Sequence, residues 1–240
     1  MTAERSGWLV AVAVAAVVAV VEAPIVLAGR TWTDRAYQTE VVPSRAAAGS
    51  AWAAGRLPEW WDGSGLGVPL AAEPSHGAMY PLLAIAGAGP DLAAMDLLIV
   101  VHAMLAAIGV AIWARRRGVD EISAVVAGAA LAASGALHAA LLAGGLGVAW
   151  LPWIGWAAEP VDDPLARRAK IRRACLVAAL IGAAGLAGPP AALIDAVIVA
   201  IVVGRSRWAV IGAAAGVVAC ACAWLPAIVH RLGDVASAGV

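Results

Sequence analysis

The chain has 240 residues, of which 63% are hydrophobic and only 13% are charged. A soluble domain typically carries about 25% charged residues, so the composition argues against an ordinary soluble protein and predicts one that lies in a lipid bilayer. The 16 basic residues balance the 16 acidic ones. Because the chain has no excess of positive charge, we expect no nucleic-acid partner.

Apolar runs separated by charged residues predict about seven membrane spans. Each span should be a helix, because unpaired backbone groups are too costly in lipid. The predicted fold class is therefore all-α, a polytopic transmembrane helical bundle that forms a single domain over 1–240. The first apolar run is longer than the core of a signal peptide, so we expect it to be an uncleaved span. The predicted spans lie near 8–28, 91–114, 120–136, 138–157, 174–188, 190–204 and 208–229.

Basic residues concentrate in three short segments, at 115–117, 167–173 and 205–207. Seven spans would place all three segments on the same side of the membrane. Lys and Arg favour the cytoplasmic side, so we expect a cytoplasmic N-terminus. The segment 30–80 is then a long first extracytoplasmic loop.

The three cysteines, Cys175, Cys220 and Cys222, all fall within apolar runs, and the sequence has no Cys-x-x-Cys motif. Neither a disulfide nor a zinc site is therefore expected. We expect no cofactor, and the sequence leaves a requirement for a divalent metal open.

Polar, aromatic and turn residues mix most densely in the segment 30–80. A loop of this length between closely spaced spans is more often functional than a passive connection. Its Ala-rich part, 43–52, is predicted to form a short helix along the membrane surface.

Several motifs occur along the chain in a fixed order. Asp34 follows the first span, and Gln38 stands four residues later. A Gly-x-Leu-Pro-x-Trp motif ends at Trp60, a Gly-x-Gly-x-Pro motif occupies 65–69, and Tyr80 precedes a proline. The later motifs are Trp150-Leu-Pro-Trp, Leu186-Ala-Gly-Pro-Pro and Ala223-Trp-Leu-Pro-Ala, and His102 stands before them. In order and spacing, this set resembles the YfhO-type bacterial membrane proteins of the GT-C superfamily of multi-spanning glycosyltransferases.

The resemblance implies a transferase in the cytoplasmic membrane of a bacterium that acts on the outer face. Its donor would be a sugar carried on polyprenyl phosphate, and its acceptor a glycan, lipid or protein of the cell envelope. Asp34 matches the acidic residue that serves as the catalytic base. An acceptor hydroxyl must lose a proton when it attacks the anomeric carbon, and a carboxylate can accept it. The alternative is that Asp34 pairs with Arg35 or caps a helix.

The same segment supplies the candidate substrate-binding residues, and a structural alternative stays open for each kind. A guanidinium can bind phosphate through two hydrogen bonds, or it can contact solvent and lipid headgroups. An indole ring can stack on a sugar or anchor the segment at the membrane surface. The polar residues near 73–76 can complete the site or form an exposed turn. The candidates are Gln38, Arg45, Arg56, Trp60, Trp61, Glu73, His76 and Tyr80.

A function from another class also stays open: a non-catalytic integral membrane component or a small transporter. Transporters pair ionisable residues near the middle of the membrane, and ionisable residues within spans are often functional. The chain is also shorter than members of the resembled family usually are, so an incomplete module remains an alternative. The ionisable residues within the predicted spans include Glu22, Asp96, His102, His138 and Asp195.

Overall fold

The computed structural model describes residues 3–63, 67–73, 75, 77–88, 91–160, 167–225 and 229. Over these residues the fold is helical, with one isolated β-bridge between Trp61 and Val68. Short 3₁₀ or π-helical turns lie at 37–41, 70–72, 81–88 and 146–150. The α-helices are α1 (Ala3–Val26), α2 (Val42–Ala53), α3 (Asp91–Arg116), α4 (Glu121–Ala132), α5 (Gly135–Leu142), α6 (Leu151–Ala158), α7 (Arg167–Leu186), α8 (Pro190–Gly204) and α9 (Arg207–Ala223).

The all-α class is confirmed over the described residues, but the predicted number of seven spans is not supported. Two helical stretches among the described residues, Gly7–Ile25 and Leu92–Arg116, are long and apolar enough to cross a membrane. α4 and α5 add a third only if they count as one broken span, since they meet at a 47° bend. The prediction at 190–204 coincides with α8, but 15 residues reach about 22 Å, which is less than the roughly 30 Å of a bilayer core.

Three helices that are consecutive along the chain, α7, α8 and α9, alternate in direction, so the first and the third run parallel. Gly212 of α9 lies against Val177 of α7, and Gly216 lies against Ile181 one turn further along, so these two helices are parallel. α3 and α6 are parallel in the same way, because successive residues of one meet successive residues of the other. α8, which connects α7 to α9 along the chain, runs back in the opposite direction, with Leu193 near its start against the last turn of α7.

The alternating directions bring the three basic segments to one end of the bundle, which we call the basic end. Arg116 and Arg117, at the end of α3, pair with Glu159 after α6. Arg173, near the start of α7, donates a hydrogen bond to the backbone oxygen of Glu159. Ser206, between α8 and α9, lines the same cavity as Arg173. The sequence prediction that these segments share one side is therefore consistent with the packing.

The sequence analysis predicted a long loop between α1 and α3. The structure instead packs this segment against the helices. Tyr37, Leu70 and Tyr80 are at most 3% exposed and pack in one apolar core with Leu98 and Ile99 of α3. Small residues allow this close packing. A hydropathy profile of the sequence does not reveal such packing. We call this end of the bundle, opposite the basic end, the loop end.

The predicted helix at 43–52 is present as α2, but it is packed against the turn Pro81–Ala88 rather than lying along a surface. The two backbones meet at Gly49 and Gly87. A β-carbon at Gly49 would lie 2.3 Å from the backbone oxygen of Leu83, closer than real atoms approach. Glycine is therefore required where α2 crosses this turn.

Replacing Gly49 with alanine is expected to lower the free energy of unfolding by about 1–3 kcal/mol, because the backbones must move apart. Gly182→Ala is the matched control, since a β-carbon there meets nothing within 4 Å. Alanine within a helix is favoured over glycine by up to about 1 kcal/mol, so this variant should be as stable as the parent or more so. Thermal unfolding in detergent compares the two, and equal midpoints would contradict the close contact.

Candidate functional site

Asp34 lies in the exposed turn that precedes the π-helical segment Tyr37–Val41. Its Oδ1 accepts a hydrogen bond of 2.7 Å from the backbone N–H of Tyr37. Gln38 braces the same turn, since its side-chain amide donates to the backbone oxygen of Trp32 over 2.8 Å. The structure thus gives Asp34 the capping role that the sequence left open, and it also keeps the carboxylate accessible to solvent.

Tyr37 connects this turn to the interior. Its hydroxyl donates a 2.8 Å hydrogen bond to Oδ1 of Asp96 on α3. Tyr37 is completely buried, and Asp96 is 4% exposed. The ring of Trp32 meets the Tyr37 ring edge to face, with centroids 6.4 Å apart. The position of Asp34 is therefore fixed by a buried contact. The sequence analysis singled out neither Tyr37 nor its pairing with Asp96.

Arg45 is completely buried within α2. Its Nη2 donates hydrogen bonds to the backbone oxygens of Gly144 and Ala187. Gly144 follows the end of α5 and Ala187 follows the end of α7. The last carbonyls of a helix lack intrahelical partners and carry partial negative charge, so the cation ties two helix ends to α2.

Burial lowers the pKa of the Arg45 guanidinium to about 10, so it stays charged at neutral pH. The candidate phosphate ligand of the sequence analysis therefore contacts backbone carbonyls of the protein itself. A cation at this point also acts on its surroundings, because it opposes the rise in the pKa of Tyr37 and Tyr80 that burial causes.

Tyr80 belongs to a buried chain of hydrogen bonds. Nδ1 of His102 lies 2.8 Å from the backbone oxygen of Leu98. Because a carbonyl can only accept, Nδ1 carries the proton and Nε2 accepts the hydroxyl of Tyr80 over 2.9 Å. The indole N–H of Trp150 then donates to the tyrosine oxygen over 3.1 Å. This chain joins the loop end to α3 and to the turn before α6.

A second polar contact lies where α4 and α5 meet. Nε2 of His138 is 3.0 Å from Oε1 of Glu22 on α1, and Glu22 is 5% exposed. The ring of Trp32 lies against His138, with centroids 5.8 Å apart. The Ser134 hydroxyl caps the first turn of α5 at the bend. An ionisable pair thus stands beside a broken helix, within reach of the segment that carries Asp34.

The remaining candidates lie on the outer part of the loop end or outside the described residues. Arg56 and Trp60 are exposed, and the Trp60 indole donates to Asp62 over 2.7 Å. The backbone of Trp61 pairs with Val68, and its ring packs against the core. Glu73 accepts a 2.6 Å hydrogen bond from Ser75. The prediction for His76 falls outside the described residues.

The structure therefore separates the candidates into two groups. Arg45 and Tyr80 lie in the core, whereas Asp34, Arg56 and Trp60 face solvent. A large cavity of about 510 Å³ lies elsewhere, between α3, α4, α5, α6 and α8, and its walls are mainly apolar. Among the described residues, His, Cys, Asp and Glu form no group of three or more that could hold a metal ion.

The two buried tyrosines, Tyr37 and Tyr80, are the only tyrosines in the chain. Burial raises the pKa of both hydroxyls, and the bond to Asp96 adds to the rise for Tyr37. Because each hydroxyl has a higher pKa in the folded state, each tyrosine stabilises the fold fully below the pKa of the unfolded chain, about 10. This contribution is lost as the pH rises.

We therefore expect no tyrosinate absorbance from the folded protein at pH 10, and a loss of stability at higher pH. Ultraviolet titration measures this directly, because Tyr37 and Tyr80 produce the whole signal. The denatured chain is the control and should titrate near pH 10. Half-ionised tyrosine in the native protein at that pH would contradict the burial of these hydroxyls.

No family model, curated protein or solved structure matches the chain.

Proposed function

We propose that the chain is a membrane-embedded glycosyltransferase of the GT-C type that transfers a sugar from a polyprenyl-phosphate carrier. The observation that carries the proposal is the placement of Asp34. Its carboxylate is exposed at the loop end, opposite the three basic segments, and a hydrogen bond to the Tyr37 backbone fixes its direction. A base that must meet an acceptor from outside needs both access and a fixed position.

Membrane placement is supported by large apolar side chains that no part of the described chain covers. Trp8 and Val20 on α1 are 73% and 75% exposed, and Ile194 and Val202 on α8 are each 60% exposed. Soluble proteins rarely expose continuous apolar faces of this kind. We propose that the alternating helices make seven passes, with the shorter ones in a thinned or obliquely crossed part of the bilayer.

The positive-inside rule orients these passes in the cytoplasmic membrane of a bacterium. Because the basic end gathers the three Arg-rich segments, we propose that it faces the cytoplasm. The N-terminus is then cytoplasmic, and Asp34 lies on the outer face, where lipid-linked sugars meet acceptors of the cell envelope.

In the proposed reaction, Asp34 takes the proton from an acceptor hydroxyl as its oxygen attacks the anomeric carbon. The bond between that carbon and the phosphate oxygen breaks, and polyprenyl phosphate leaves with the bonding electrons. Arg56 is an exposed cation of the segment and can neutralise the charge of the leaving phosphate. Trp60, 56% exposed, offers an indole face for the sugar.

The test uses membranes that contain the full chain and two radiolabelled donors, a polyprenyl-phosphate sugar and the matching nucleotide sugar. Membranes without the chain are the control. The proposal expects label to move to endogenous acceptors from the lipid-linked donor alone. Absence of transfer by folded protein, over a panel of lipid-linked sugars, would reject the activity.

A second candidate, a proton-coupled transporter, is favoured by one observation: the partly buried pair Glu22 and His138 stands at the bend between α4 and α5. Discontinuous helices with ionisable residues are a feature of transporter sites. Proteoliposomes loaded with a pH-sensitive dye test this role. Proton flux that is present in the parent and lost in Glu22→Gln would favour transport over transfer.

A further inference from the structure

A small cavity of about 120 Å³ opens at the basic end, between the end of α6 and the first turns of α7 and α9. Lys170 and Arg173 line one side, and Ser206 and Trp208 line the other. By this measure a cavity needs only about 10–15 Å³ to hold one water molecule, so the space can take a group about the size of a phosphate.

The charges around this cavity favour an anion. Among the described residues, Glu159 is the acidic residue of its wall, and its carboxylate already faces Arg117 at 2.8 Å and Arg116 at 3.6 Å. Arg173 is held by the backbone oxygen of Glu159 over 2.7 Å. Arg116 and Arg117 therefore neutralise the Glu159 carboxylate, and the positive charge of Lys170 and Arg173 remains in the cavity.

Lys170 is the cation of the cavity wall that is available to a ligand. It is partly buried, and among the described residues it forms no ion pair. The Ser206 oxygen accepts the N–H of Ala209 at the start of α9, so its hydroxyl proton can be donated to a ligand. An ammonium group and a hydroxyl at a helix N-terminus are typical partners of phosphate.

The surroundings indicate that the phosphate belongs to a lipid. Ile171 and Val210, on the two helices that flank the cavity, are 42% and 50% exposed. The guanidinium carbon of Arg207 lies over the ring of Trp208, 5.6 Å from the ring centroid. Tryptophan is enriched at the membrane surface. Acyl chains could lie along these apolar side chains while the headgroup enters the cavity.

We propose that this cavity binds the phosphate group of an acidic membrane lipid through Lys170, Arg173 and Ser206. Basic pockets between membrane helices on the cytoplasmic side are known to bind such headgroups. The proposal rests on the proposed membrane placement and not on sugar transfer, so it stands even when no transferase activity is found.

The experiment measures thermal unfolding of the purified full chain in a mild detergent with three additions. These are phosphatidylglycerol, phosphatidylcholine with the same acyl chains, and inorganic phosphate. A ligand that binds only the folded state raises the unfolding midpoint. We expect phosphatidylglycerol to raise it and phosphatidylcholine to leave it unchanged. Stabilisation by inorganic phosphate to the same extent would overturn the assignment to a lipid, because free phosphate alone would then account for the site.

Lys170→Gln removes the charge from the cavity and should weaken the binding of phosphatidylglycerol about fivefold to tenfold. Arg172→Gln is the matched control, because Arg172 lies on the same helix, is exposed and does not line the cavity. Lys170→Arg keeps the charge and should restore binding. Equal losses in Lys170→Gln and Arg172→Gln, or no loss in Lys170→Gln, would overturn the proposal.

Discussion

Replacing Arg45 with methionine is expected to lower the free energy of unfolding by about 2–5 kcal/mol, the largest loss of stability predicted here. The change leaves the carbonyls of Gly144 and Ala187 buried without the donor that they have in the parent. Each buried group that loses its partner costs about 1–3 kcal/mol. It also removes a positive charge from the negative ends of two helices.

Two variants control this prediction. Arg45→Lys keeps the charge but has no planar group that reaches two acceptors, so an intermediate loss is expected. Arg56→Met makes the same change at an exposed position and should alter stability by less than about 0.5 kcal/mol. Thermal unfolding in detergent measures all three. A stable Arg45→Met variant would show that the buried cation does not hold the helix ends together.

Replacing Asp34 with asparagine is expected to reduce sugar transfer by about 10²–10⁴-fold, the usual contribution of a positioned general base. Asparagine caps helices about as well as aspartate, so the bond to the Tyr37 backbone should survive. The unfolding midpoint should therefore stay at the value of the parent, and the loss should be confined to the transfer rate.

The matched control for Asp34 is Asp62, another exposed carboxylate of the same segment, which accepts a hydrogen bond from Trp60. Asp62→Asn should leave the rate within about twofold of the parent, since it makes the same chemical change away from the base. Undiminished transfer by Asp34→Asn would leave Asp34 with its capping role alone.

Hydropathy located the helices well where each run is uniformly apolar. The predicted span 190–204 coincides with α8, which proline begins and a left-handed residue, Arg205, ends. It failed at the boundary predicted near 137. The chain instead bends where Ser134 caps α5 and turns back near Gly144. The cap and the turn are local hydrogen-bonding features inside one apolar stretch, so hydropathy does not detect them.

The site was less predictable than the helices, because its contacts join residues far apart in the sequence. Asp34 was chosen as a candidate from its motif, and its capping role was named as the alternative. The partners of Arg45 lie 99 and 142 residues away in the sequence. An arginine in a polar segment suggested a phosphate ligand, and nothing near it in the sequence indicated that it would bind two helix ends. The pairing of Tyr37 with Asp96 was also out of reach, since it depends on how the segment folds back onto α3.

If the loop end and the basic end lie on opposite sides of a membrane, single cysteines placed at the two ends will differ in their reaction with a reagent that cannot cross it. In a chain whose native cysteines are replaced, Arg56→Cys marks the loop end and Arg168→Cys marks the basic end, at the start of α7. Both positions are exposed. An impermeant maleimide is added to intact cells and to permeabilised cells. We expect Arg56→Cys to react in intact cells and Arg168→Cys to react only after permeabilisation. Labelling of both positions in intact cells, or of Arg168→Cys alone, would contradict it.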